Sequence, residues 1–200
     1  MANKKINNGH SYIDLGLPSG TLWATCNVGA SKPTQSGLYF QWGDVQGYKT
    51  EQVGKEKKFS CDDYKWGDYP NFTKYAKQGE MLEIEDDAAH ANMGGGWHIP
   101  TPEQVQELID NTTNNWVTQD GVNGRLFTSK NNGKSIFIPA SGVAWNGSIH
   151  SSGNYGNIWS SMLNTLYADY GLRFCFHSGY AYLSFNASRY YGQSVRGVIG

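Results

Sequence analysis

The sequence predicts one domain of short strands and many turns with two short helices, and three observations carry that reading. Only 16% of the 200 residues are charged, 14% are aromatic and 25 are glycine. This is a profile of turns and aromatic packing rather than of long surface helices. From Trp116 onward the apolar residues fall into short runs bounded by turn residues, the pattern of strands. Helix-start chemistry is confined to two short stretches, and the length fits a single domain.

Taken in order, residues 1–10 are polar and are expected to form a disordered lead-in to a domain spanning 11–200. A short strand and a Pro-Ser-Gly turn follow at 11–20, and residues 21–28 alternate as a half-buried strand. Residues 32–78 are rich in Tyr, Trp, Gly and Lys without a steady period, so long loops are expected there, with a short strand at 38–42. Glu83, Glu85, Asp86 and Asp87 precede an alanine-rich run at 88–91, a short helix with negative charge at its N-terminal end and Gly94, Gly95 and Gly96 as its stop. In the second helix Thr101 can cap, Pro102 suits the first helical position, and Val105, Leu108 and Ile109 form one apolar stripe. Strands are expected at 116–118, 124–128, 135–139, 142–145, 157–161, 171–178, 180–185 and 194–198.

Charge and motifs exclude several functions. With a formal net charge of −1 the chain has no basic field to hold a phosphate backbone, and nucleic acid is not an expected partner. The opening residues lack the apolar stretch of a secretory signal, and no later stretch reaches the length of a membrane span, so membrane insertion is not expected. Cys26, Cys61 and Cys175 show no CxxC or Cys/His ligand spacing, and at most one disulfide can form. His10, His90, His98, His150 and His177 are scattered, with no H-E-x-x-H pattern, no G-x-S-x-G elbow and no phosphate loop. No catalytic residue, metal or cofactor is expected, and the chain is read as a binding protein and not an enzyme.

The segment 158–191 is where binding is expected. Leu172, Phe174 and Phe176 interleave with Arg173, Cys175 and His177, so a strand there buries the first set and presents the second. Residues 163–192 also contain no Lys, Glu, Gln, Met or Trp, types that make up roughly a fifth of average proteins. The candidate ligand-binding residues are Ile158, Leu166, Tyr167, Asp169, Tyr170, Arg173, Cys175, His177, Tyr180, Tyr182, Ser184, Asn186, Ala187, Ser188 and Tyr190. Tyr offers large, stiff contact area with a polar tip, and Ser and Asn adaptable hydrogen bonds. The plainer alternative is an ordinary surface of an aromatic-rich β domain.

An ordered set of motifs resembles a known family: Tyr12-Ile13-Asp14-Leu15-Gly16-Leu17-Pro18-Ser19-Gly20-Thr21-Leu22-Trp23-Ala24, Asp86-Asp87-Ala88-Ala89, Gly95-Gly96-Trp97-His98-Ile99-Pro100-Thr101, Phe137-Ile138-Pro139-Ala140, Trp159-Ser160-Ser161 and Tyr190-Tyr191-Gly192-Gln193-Ser194-Val195-Arg196. These are similar to the major paralogous domain of Fibrobacter and Bacteroidetes proteins, within the C-type-lectin-like superfamily. Met93, His98 and Gly197 depart from its pattern, where Trp, Arg and Pro are usual. The resemblance implies an α+β, C-type-lectin-like fold with two helices, small, mainly antiparallel sheets, long loops and chain ends close together.

Some members of that superfamily are variable proteins of diversity-generating retroelements. In them a reverse transcriptase randomises template adenines, and Asn codons become codons for fifteen residue types, never Lys, Glu, Gln, Met or Trp. The gap at 163–192 matches such a history, and Arg, Cys and His are all reachable from Asn. The resemblance thus implies a protein or glycan ligand on a cell surface, a phage virion or extracellular location, and a homo-trimer as the oligomer. A fixed bacterial adhesin or structural module of the same fold is the alternative. The Gly96-Trp97-His98-Ile99-Pro100-Thr101 motif is also similar to one in formylglycine-generating enzymes, but those need a cysteine pair near the domain end, where only Cys175 lies. Calcium-dependent sugar binding lacks its motifs, since Trp145-Asn146-Gly147 stands where Trp-Asn-Asp is needed.

Overall fold

A computed structural model describes residues 5–200. Of the expected disordered lead-in, residues 1–4 lie outside the described residues, and residues 5–10 form strand and turn. β1 (Lys5–Asn7) pairs antiparallel with β2 (His10–Asp14), and the connecting Asn8 and Gly9 both have positive φ, 45° and 81°. An Asn-Gly pair in a two-residue loop matches the twist of the flanking strands. The same device recurs at Asp120-Gly121, between β5 (Thr112–Gln119) and β6 (Val122–Ser129), and at Asn146-Gly147, between β8 (Val143–Trp145) and β9 (Ser148–His150).

The strands form small, mostly antiparallel sheets, and with two α-helices the architecture is α+β. β3 (Leu22–Ala24) lies between β2 and β14 (Val198–Ile199), which puts the first and last described strands into one sheet. β7 (Ser135–Pro139) completes a three-stranded sheet with β5 and β6. The largest sheet joins β10 (Gly156–Leu163), β11 (Tyr170–Phe176) and β12 (Ala181–Ser188) to β13 (Gln193–Ser194) and β4 (Tyr39–Phe40), in the order β12-β11-β10-β13-β4. Only the β10–β13 pairing in it is parallel. Between β4 and the first helix the chain holds only single turns of 3-10 helix and loops, the irregular stretch that its mixed composition predicts.

Both helices start where their chemistry requires. Asp87 caps α1 (Ala88–Met93) by accepting from His90 N at 2.9 Å, and its other carboxylate oxygen accepts from Ile99 N at 2.8 Å. Gly94, at φ 67°, ends the helix. In α2 (Pro102–Asn111) Thr101 and Gln104 form a reciprocal capping box, which satisfies two orphan donors at once. Val105 and Leu108 are buried and Ile109 packs beside them. β5 follows α2 without a loop because Thr112, buried, turns the chain with its hydroxyl on Leu108 O at 2.6 Å.

Two apolar cores flank the large sheet. One gathers Trp42, Trp97, Trp159, Leu163 and Val195 with α1; the other gathers Trp23, Leu108, Phe127, Ile158, Phe174 and Phe176. Burying one such aromatic contributes about 1.5–3 kcal/mol. Gly197 and Met93 form one packing arrangement: a Cβ at Gly197 would come within 2.8 Å of Met93 Sδ and 3.1 Å of Trp97 Cε3. The His98 ring bridges Ile99 O (3.0 Å) and Gly200 O (3.1 Å).

Candidate binding surface

The C-terminal segment presents its side chains from a sheet that is pinned on both sides. On β11 the expected packed face is buried: Leu172, Phe174 and Phe176 are covered, and the rings of Phe174 and Phe176 pack on Phe127 at 5.4 and 6.1 Å. Trp159 and Val195 support the sheet from the other core, with Trp159 Nε1 donating to Phe40 O at 2.7 Å.

Of the fifteen candidate residues, Leu166, Tyr167, Tyr180 and Asn186 are exposed, and Asp169, Tyr170, Arg173, His177, Tyr182, Ser188 and Tyr190 are partly exposed. Four are corrected. Ile158 and Ala187 are wholly inaccessible, because Ile158 packs in the core beside Phe174 and Phe176 and Ala187 in the core beside Trp42 and Trp159. Cys175 lies on the face expected to be presented, but β11 is a central strand and Cys175 is covered between Asn157 and Tyr182. The Cys175 thiol, by hydrogen bonding, and burial together push the Tyr182 phenol up to about 12. Ser184, opposite Arg173, is buried, and its hydroxyl is taken by Asn186 Oδ1 at 2.8 Å.

Beyond Arg173 in mid-strand, much of what remains accessible gathers at the two ends of β11. At one end His177, Tyr180, Tyr182 and Tyr155 cluster, with the His177 and Tyr180 rings 4.3 Å apart and the His177 and Tyr155 rings 5.2 Å apart. Arg125, buried, holds this tip by donating to His177 O and Gly179 O, while its Nε donates to Asn114 Oδ1 at 2.6 Å. At the other end the loop between β10 and β11 is shaped by Asn164, whose Oδ1 accepts from Leu166 N (2.7 Å) and Tyr167 N (3.2 Å). Leu166 is 70% and Tyr167 59% exposed on that loop.

That loop does not stand alone. Together with Tyr69, Ala76 and Gln78 it lines a groove of about 490 Å³. The two walls are joined beneath by Arg189, which is wholly buried. It donates to Tyr64 Oη (3.0 Å), to Tyr75 O (2.8 Å) and Lys74 O (3.2 Å) on one wall, and to Ala168 O (3.2 Å) on the other. Its guanidinium lies 4.1 Å from the Phe72 ring centroid. Tyr69, Ala76 and Gln78 were not among the sequence-derived candidates, because they precede the loop they face by about ninety residues in the chain and nothing local marks them.

Comparison with protein-family models, with curated proteins and with solved structures gives no match. The surface is therefore read on its own chemistry. Cys26, Cys61 and Cys175 are free thiols, and among the described residues no cluster of three or more His, Cys, Asp or Glu is placed to hold a metal ion. His10, His98, His150 and His177 make packing or backbone contacts, as where His150 lies against Trp145 at 4.6 Å and His10 against Trp97 at 6.3 Å. Asp86 and Asp87 are not a carboxylate pair. Asp87 caps α1, whereas Asp86 accepts from Lys65 (3.2 Å), Lys74 (2.6 Å) and the Tyr75 hydroxyl (2.8 Å). No helix among the described residues is long and apolar enough to cross a membrane.

Proposed function

We propose that this chain is a ligand-binding protein of C-type-lectin-like fold whose C-terminal surface is diversified by a retroelement. It binds a protein or glycan on a cell surface without catalysis. The observation that carries the reading is the coincidence of two independent features in one segment. Residues 163–192 lack the five types that adenine randomisation of Asn codons cannot reach, and the same segment supplies exposed Leu166, Tyr167 and Tyr180 from the loops at the two ends of β11 and exposed Asn186 from β12, on a sheet whose packed face is buried. A rigid scaffold presenting Tyr, Asn and Ser is the arrangement of antibody-like surfaces.

The α+β architecture, the two helices and the sharing of one sheet by β2, β3 and β14 support the C-type-lectin-like assignment. One observation favours the fixed-adhesin alternative: Ile158, Cys175, Ser184 and Ala187, all candidates for variation, are buried, where sampled residues would disturb packing. The gene itself decides between the two. Diversification requires a neighbouring reverse transcriptase and a near-copy of the last segment that differs at adenines. A complete locus with neither sinks that reading and leaves the fixed adhesin.

A further inference from the structure

We infer that the groove between the two walls seats a basic side chain, lysine or arginine, of a protein ligand. The inference rests on the C-terminal surface being the recognition surface and names what one end of it takes. Three features of the groove point the same way. The Tyr167 and Tyr170 rings meet at 86° with centroids 6.3 Å apart, so they form a corner rather than the flat platform on which a sugar ring stacks, and Tyr69, 66% exposed, lines the groove from the facing loop. An exposed tyrosine ring face attracts a cation through its quadrupole. Asp169 also lines the groove, and its carboxylate makes no hydrogen bond or ion pair among the described residues. Leu166 supplies exposed aliphatic surface that suits a protein partner and offers a glycan nothing to bond.

Arg189 is the argument on the other side, since its charge lies under the floor. Four of its five N–H donors go to Tyr64, Lys74, Tyr75 and Ala168 and the side chain is wholly buried, so it reaches the groove through its field, which favours an anion. The test therefore sets the two signs against each other. Isotope-labelled protein is titrated with N-acetyl-arginine amide, its neutral isostere N-acetyl-citrulline amide, N-acetyl-glutamate amide and methyl glycosides, and backbone amide shifts are followed by NMR. The arginine derivative is expected to move the amides of Leu166, Tyr167, Tyr170, Tyr69 and Gln78, binding about five- to tenfold more tightly than the citrulline derivative. Asp169→Asn is expected to remove most of that preference while leaving the remaining spectrum in place. Equal binding of arginine and citrulline, stronger binding of glutamate, glycoside shifts in place of arginine shifts, or shifts lying elsewhere would each overturn the inference. Any of these results at a locus that carries the reverse transcriptase and template leaves the diversified receptor standing and removes only the basic ligand.

Discussion

Arg125, Arg189 and Arg196 are all buried, and among the described residues none of them meets a carboxylate. Carbonyls, asparagine oxygens and a tyrosine hydroxyl take their donors: Arg196 reaches Asn27 Oδ1 (2.9 Å), Ala24 O (3.0 Å) and Phe137 O (3.1 Å), and burial lowers its pKa to about 10. Removing such a guanidinium leaves several buried acceptors unpaired. Arg189→Met is expected to destabilise the fold by about 2–4 kcal/mol in urea unfolding. Arg173→Met, on the partly exposed face, should stay within about 0.5 kcal/mol. The same comparison sorts the candidate binding positions. Ala187→Asn puts a polar side chain into a packed core and should cost about 2–4 kcal/mol, whereas Leu166→Asn and Tyr167→Asn should cost about 0.5 kcal/mol or less. A loss of stability at Leu166 or Tyr167 equal to that at Ala187 would mean that the loop is part of the core rather than of a presenting surface.

At the level of elements, what could be read from the sequence was what local chemistry dictates. Thr101, Pro102 and Gln104 set the start of α2, Asp87 and Gly94 bound α1, and the alternation of Leu172, Phe174 and Phe176 located the packed face of β11. The three Asn-Gly and Asp-Gly turns were equally local signals, and with them β1 and β9 could have been placed. Burial of Cys175 and Ser184 was not legible, because it depends on which strands flank β11 and β12 and not on the residues themselves. Two glycines of one hairpin test how far local and tertiary demands differ. Gly121 has φ 79° with open space around its Cα, so Gly121→Ala should cost only the backbone strain of about 1–2 kcal/mol. At Gly124 a Cβ would meet Ile138 O at 2.4 Å and the Phe137 ring at 2.5 Å. Gly124→Ala should therefore be the more damaging by thermal unfolding, and the reverse order would place β6 in a different register.

Across the whole molecule, acid acts through the Asp86 network. Burial alone would raise the Asp86 pKa, but hydrogen bonds from Lys74, Tyr75 and Lys65 outweigh it and hold the carboxyl below its ordinary value of 3.8. A depressed carboxylate stabilises the fold above its unfolded pKa and loses that contribution as pH falls through the folded value. Asp87 works in the opposite sense, since burial raises its pKa and protonation then relieves a cost of folding. Lys74 lowers Glu83 as well, so Asp86 and Glu83 contribute a limb on which stability falls as the pH drops from about 3.8 through their lowered values. Asp86→Asn should flatten that limb in pH-dependent urea unfolding and cost roughly 1–3 kcal/mol at neutral pH. An unchanged acid limb would show that the network carries no linkage.

The hydrogen bonds of Arg189 give that linkage a reach beyond stability. Its guanidinium ties Lys74 O and Tyr75 O to Ala168 O, so the loop that holds the acid-sensitive ion pairs and the loop that offers Tyr167 are braced as one frame. A ligand that binds the braced frame better than the loosened one is coupled to the protons that loosen the frame, and reciprocally. A ligand gripped by both loops would resist the loosening that protons bring, shifting acid unfolding to lower pH. By the same linkage acidification would release the ligand, so the grip on a partner would carry a dependence on the acidity of its surroundings.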